Sequence, residues 1–154
     1  MAQSVVIDAN LLVLFVVGHT DRRLIGRHKN LSAYDEDGFD LLLEQLREYR
    51  HIVLTAQALT ETSNLLRQIA DPDRSRLMLV LKALIDGHEE HFIGSRDAAS
   101  EPVFVRLGLT DAALIAAARR YGSIFSADKD LCVAAGRAGV EVLNFAHLYD
   151  AAFG

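Results

Sequence analysis

Ser4-Val5-Val6-Ile7-Asp8-Ala9-Asn10-Leu11-Leu12-Val13-Leu14-Phe15-Val16-Val17-Gly18 holds two different periods side by side. Val5-Val6-Ile7 is short, β-branched and continuous, which suits a strand buried on both faces of a parallel sheet. Asp8 closes it. Asn10 is a good N-cap for a following helix through Leu11–Val17, with Gly18 as its expected stop. No apolar run in the chain is longer than Leu11–Val17, which is far short of the ~20 residues a membrane span needs. A buried strand feeding a buried helix is the opening of an α/β domain.

The same alternation continues outward. Asp37–Arg50 predicts a helix with Leu41, Leu42 and Leu46 on one face, and Ile52-Val53-Leu54 a second strand. Thr55 is placed to cap a helix reaching about Ala70, which Asp71-Pro72 breaks, and Arg74–Asp86 is another helix ending at Gly87. His91-Phe92-Ile93 is the third strand candidate. Val103–Leu107 fits strand or helix, and helix is preferred. Thr110 is expected to cap Asp111–Tyr121, followed by a strand at Ile124-Phe125, a helix over Leu131–Ala138 and a strand at Val140–Leu143. The expected fold is therefore α/β, three-layer α/β/α with a central parallel sheet of four to five strands, in one domain spanning 1–154.

Composition narrows the classes. The 154 residues are 51% hydrophobic and 24% charged, which excludes intrinsic disorder. A single cysteine, Cys132, leaves no intramolecular disulfide, and Met1-Ala2-Gln3-Ser4 lacks the basic start of a signal peptide. The expected location is cytoplasmic. The net charge of −5 disfavours a nonspecific polyanion binder, although one bound divalent cation would bring it to −3 and two to −1.

Four acids stand at related positions in this layout. Asp8 closes the first strand and Asp128 the fourth, in Ser126-Ala127-Asp128. Asp111 lies in the first turn of a helix, and Glu61 in the second turn of the helix after the second strand. Each alone is ordinary: a cap, a dipole partner, a surface glutamate, a turn residue. Together they fall at strand ends and helix starts, where open parallel sheets bind ligands. Two carboxylates about 4 Å apart repel by roughly 4 kcal/mol at an effective dielectric near 20. Such a cluster calls for protonation or a hard cation, and an all-oxygen set including the Asn10 amide suits Mg²⁺ or Mn²⁺.

Val5-Val6-Ile7-Asp8-Ala9-Asn10-Leu11-Leu12, Leu59-Thr60-Glu61-Thr62, Leu109-Thr110-Asp111-Ala112-Ala113-Leu114 and Ser126-Ala127-Asp128-Lys129-Asp130-Leu131 together resemble the PIN domain family, which includes VapC-type toxins. The resemblance runs nearly end to end, with short blocks in family order. It implies a metal-dependent ribonuclease using Mg²⁺ or Mn²⁺, with Asp8, Glu61, Asp111 and Asp128 as catalytic and metal-binding residues. Asn10, Ser126 and Asp130 would support them. A toxin-type member would also have an antitoxin protein partner and a homodimer interface. The long segment from His19 to Asp37 departs from a minimal toxin-like member and carries Arg22, Arg23, Arg27, His28 and Lys29, a candidate contact for RNA phosphates.

Other readings fare worse. His88-Glu89-Glu90-His91 lacks the i, i+4 histidine spacing of a zinc helix, and there is no phosphate-cradling glycine loop. A haloacid-dehalogenase-like phosphatase would want a second carboxylate where Asn10 sits, and a phosphoacceptor receiver domain needs an acidic pair after the first strand. A PIN-like module that binds RNA or protein without cutting remains the alternative from another class. Cys132, Phe125, Phe145, Tyr121 and Tyr149 read as packing residues.

Overall fold

The computed structural model describes residues 2–154. The chain runs β1 (Ala2–Ile7), α1 (Ala9–Thr20), α2 (Glu36–Leu46), β2 (Tyr49–Leu54), α3 (Ala56–Leu66), α4 (Asp73–Gly87) and β3 (Glu89–Glu90). It continues through α5 (Ser95–Ala99), α6 (Phe104–Leu107), α7 (Leu109–Tyr121), β4 (Ser123–Ser126), α8 (Lys129–Arg137), β5 (Val142–Asn144) and α9 (Phe145–Phe153). All strand pairs are parallel, in the order β3-β2-β1-β4-β5. Helices flank the sheet, giving the expected three-layer α/β/α architecture with five strands.

The central position of β1 follows from its composition. Val5 and Val6 are fully buried and Ile7 nearly so, since β1 has neighbours on both sides and helices above and below. From β1 the sheet grows through β2 to β3 on one side and through β4 to β5 on the other. The reversal lies between β1 and β4, so their carboxyl ends flank the crevice where ligands bind in such sheets.

The helix after β1 differs from expectation at both ends. Asp8, not Asn10, is its N-cap, and the helix passes through Gly18 to Thr20. Gly18 is instead a packing residue: a Cβ there would stand 2.2 Å from the Phe39 ring. Leu11, Leu12, Val13, Leu14, Val16 and Val17 are all buried, so α1 is apolar all round because α2, α3 and α4 pack around it.

Other boundaries shift for local reasons. The helix begun near Asp37 ends at Leu46, and Tyr49-Arg50 already belong to β2. Thr55 caps α3 as expected, its Oγ accepting from the Ala58 N–H at 3.2 Å, although α3 stops at Leu66. The third strand is Glu89-Glu90 rather than His91–Ile93, set by pairing with Val53 and Leu54. The Val103–Leu107 stretch resolves as helix, with Val103 at the N-cap position and α6 over Phe104–Leu107. Thr110 does not cap α7. Gly108 does, at φ +89, a left-handed conformation that lets α6 end and α7 begin at once. Asp128 caps α8.

Candidate active site

Asp8 and Asp128 are delivered by the same device on neighbouring strands. Each follows a buried parallel strand, keeps an extended backbone, and caps the next helix with its side chain. The Asp8 N–H still donates to the Phe125 carbonyl at 3.1 Å, so the carboxylate leaves from the last rung of the ladder. Its Oδ1 accepts from the Ala9 N–H at 2.7 Å, and its Oδ2 accepts from the Ser126 hydroxyl at 2.7 Å. Ser126 Oγ in turn accepts from the Asp128 N–H at 2.9 Å, while Asp128 Oδ1 accepts from the Leu131 N–H at 3.1 Å. One buried hydroxyl therefore ties the two junctions together.

Asp8 is only 5% exposed. Burial pushes its carboxyl above the usual range; the Ser126 and Ala9 hydrogen bonds oppose this, and the charges of Asp128 and Glu61 add to it. Asp111, half-buried in the first turn of α7, is pushed up to about 7, by burial first and then by Asp8, Asp128 and Glu61. Glu61 is exposed on the second turn of α3, yet its charge reaches both. The four acids, distant in sequence, thus share one electrostatic site at the carboxyl end of the sheet.

The remaining candidates divide. Ser126 is an integral part of the site. Asn10 is exposed in the first turn of α1, and Asp130 is exposed in the first turn of α8, outside the charges acting on Asp8 and Asp111. Two groups not assigned to the site from sequence adjoin it. Burial, then Asp8 and Asp128, push the Tyr34 phenol up to about 12. Cys132, expected to be core, is half-buried one helical turn after Asp128, and burial followed by the charges of Asp128 and Asp8 pushes its thiol up to about 11. The i, i+4 spacing of Asp128 and Cys132 was a usable signal; Tyr34 lies in an irregular segment, where periodicity says nothing.

The basic segment is arranged differently. Arg22 donates to both carboxylate oxygens of Asp40, at 2.8 and 3.0 Å, and to Glu36 at 3.1 Å, with its guanidinium 5.3 Å from the Phe39 ring centre. Arg23 pairs with Asp21 at 3.0 Å. His28 is buried, its Nδ1 accepting from the Asn30 N–H. Arg27 and Lys29 are exposed and form no ion pair among the described residues.

Among the described residues no group of three or more His, Cys, Asp or Glu side chains is gathered as a ready metal centre. The donor chemistry nevertheless fits a hard cation: the four acids and Ser126 offer only oxygen, and the charged groups acting on Asp8 and Asp111 are all carboxylates. His88 Nδ1 lies 2.8 Å from the Leu84 carbonyl, and His91 stacks on Tyr121 with ring centres 3.6 Å apart.

No protein-family model matches the chain, and no curated protein matches it. Among solved structures, it is similar to a domain of a functionally unknown protein from Methanocaldococcus jannaschii DSM 2661, at 17% identity and a TM-score of 0.49, over 93% of this chain and 91% of that one. Among the described residues no helix is long and apolar enough to cross a membrane.

Proposed function

We propose that this chain is a PIN-like, Mg²⁺- or Mn²⁺-dependent endoribonuclease of the cytoplasm that hydrolyses phosphodiester bonds in RNA. The observation that carries the reading is the β1–β4 junction, where one Ser126 hydroxyl joins Asp8 at 2.7 Å to the Asp128 N–H at 2.9 Å, with like charges from Asp8, Asp128 and Glu61 acting on Asp111. A stability-driven site would have separated these charges or paired them with a base. Retaining them is the signature of a site shaped for a cationic ligand.

Asp8, Asp111, Asp128 and Glu61 would hold the ion. When bound, it supplies polarisation of the scissile phosphate and a water of lowered pKa. The chain's own residues set the frame. Ser126 and the Ala9 N–H fix both oxygens of Asp8, and the Leu131 N–H fixes one oxygen of Asp128. Without the ion, burial and like charges push the Asp111 carboxyl up to about 7, and a bound cation would relieve that cost and keep it ionised. An attacking water, in place of the ribose 2′-hydroxyl, leaves single-stranded DNA open as a second substrate. A toxin role, with an antitoxin protein covering the site and a homodimer, belongs to the same reading.

The second reading is a PIN-like module that binds RNA or a protein without cutting. It is favoured by the lack of a gathered metal centre among the described residues. Incubating a mixed single-stranded RNA pool with purified protein separates the two. The nuclease reading expects cleavage with Mn²⁺, none with chelator, and none with Asp8→Asn. Metal-independent cleavage retained by Asp8→Asn would reject the assignment.

A further inference from the structure

A hollow of about 340 Å³ opens beside the acids, between the segment before α2, the β4–α8 junction and α9. Its walls include Tyr34, Ala127, Phe145, Ala146, Tyr149 and Asp150. Ala127 sits between Ser126 and the capping Asp128, so the hollow and the acidic site share a wall. Tyr34 lines the hollow, and the charges of Asp8 and Asp128 reach its phenol.

Three features define what fits. The first is the aromatic lining: the Tyr34 and Phe145 ring centres are 6.0 Å apart, and those of Phe145 and Tyr149 are 6.5 Å apart. Phe145 is buried as the floor, while Tyr34 and Tyr149 are half-buried and present ring surface. Second, the wall is held in place. The Tyr149 hydroxyl donates to Asp35 Oδ2 at 2.5 Å, and Asp35 Oδ1 accepts from the Gly38 N–H as the cap of α2. Third, the polar rim is anionic. Asp150 accepts hydrogen bonds and repels phosphate, so the hollow suits a planar, neutral group carrying N–H donors. Its volume is at the small end of ligand-sized clefts, which span about 300–1,000 Å³.

The geometry points to a subsite for one unstacked nucleobase of single-stranded RNA, seated on Tyr34 and Tyr149 next to the bond that the acids would cleave. Single-stranded RNA is recognised by splaying a base onto an aromatic side chain and contacting its edge. Here Asp150 is part of the lining, and its negative charge favours bases with N–H donors over those that present mainly acceptors. This subsite rests on the RNA reading of the acidic site. It goes beyond it by naming which side chains choose the nucleotide.

An abasic scan of labelled single-stranded oligonucleotides tests it, by fluorescence anisotropy in EDTA and, for oligonucleotides with one cleavage site, by cleavage rate in Mn²⁺. With the native protein, removing one base should weaken binding about tenfold at a single position adjoining the cut bond, the size expected for one stacked base. Tyr34→Leu should weaken the intact oligonucleotide about tenfold and leave the abasic one unchanged, while Tyr34→Phe binds like the native protein. A flat abasic scan, or Tyr34→Leu weakening intact and abasic strands equally, overturns the subsite even if Mn²⁺-dependent cleavage is present. A position-specific abasic effect without cleavage upholds the subsite and removes the nuclease reading. Neither binding nor cleavage of any single strand removes both.

Discussion

The acidic rim and the segment from Asp21 to Leu31 both concentrate charge, and they handle it in opposite ways. At the start of the segment acids and bases answer one another, while Arg27 and Lys29 stand exposed without an ion pair among the described residues. Hydrogen bonds from Arg23 hold Asp21 below the usual carboxylate range, and those from Arg22 do the same for Asp40 on α2. At the rim, Asp8 and Asp111 are raised, because burial and like charges outweigh the hydrogen bonds available. A charge answered by its neighbours is consistent with shaping a loop. A charge left among its own kind has an energetic cost that a ligand can relieve. Charge density in the sequence did not distinguish these cases; the direction of the carboxyl shifts does.

The sharpest way to break this contrast is to remove acids while sparing their caps. Serine keeps an N-cap oxygen. Asp128→Ser should therefore retain α8 and the melting temperature to within a few degrees, yet lower Mn²⁺-dependent cleavage by about 10²-fold or more. Calorimetry and a cleavage assay on the same sample check both halves; cleavage at the native rate would make Asp128 merely a cap.

A middle-sized effect lies in the pH dependence of stability. A carboxyl raised in the folded state binds more protons folded than unfolded between its ordinary and its raised value. Its contribution is thus present at low pH and lost as pH rises. For Asp111 the window runs from 3.8 to about 7. Asp21 and Asp40 act oppositely, stabilising above their ordinary value and losing that contribution in acid. The metal-free melting temperature should peak on the acidic side and decline toward pH 8. Asp111→Asn should flatten the decline by a few degrees, at about 2–4 °C per kcal/mol for a domain of this size. Mn²⁺ should restore the native protein at pH 8 and not Asp111→Asn. A profile rising monotonically to pH 8 without metal would refute the uncompensated rim.

The smallest effect concerns the basic segment. Each phosphate contact on a single strand contributes a salt slope of about −0.7. Since Arg22 and Arg23 are engaged within the chain, neutralising Arg27 and Lys29 should change the slope of RNA binding by at most about 1.4, the value for two contacts. Adding Arg22→Gln and Arg23→Gln should change it little further. A change near that for four contacts would mean that RNA releases these arginines from their acids.

Local pattern carried much of this molecule. Val5-Val6-Ile7 and the Leu11–Val17 run announced a buried strand and helix, and Thr55 announced its cap. The four acids were legible because their spacing from strand ends is a property of sequence. Where two local signals competed, only packing chose. Asp8 and Asn10 are equally good caps, and Asp8 prevails because its N–H completes the ladder to Phe125. Gly18 resembles a helix stop and is instead the seat of Phe39. Glu89-Glu90 has no apolar period at all and is a strand through its pairing with Val53 and Leu54.

The chain's order of apolar runs and turns determined by itself that strands would alternate with helices, since burying each run demands a sheet covered on both faces. Tertiary structure decided what no local period encodes: that β4 lies against β1, so that Ser126 reaches Asp8, and that Tyr34 and α9 arrive at the same rim. Those contacts join residues as far as 118 positions apart. Their energies depend on burial and mutual distance, which exist only once the chain has folded.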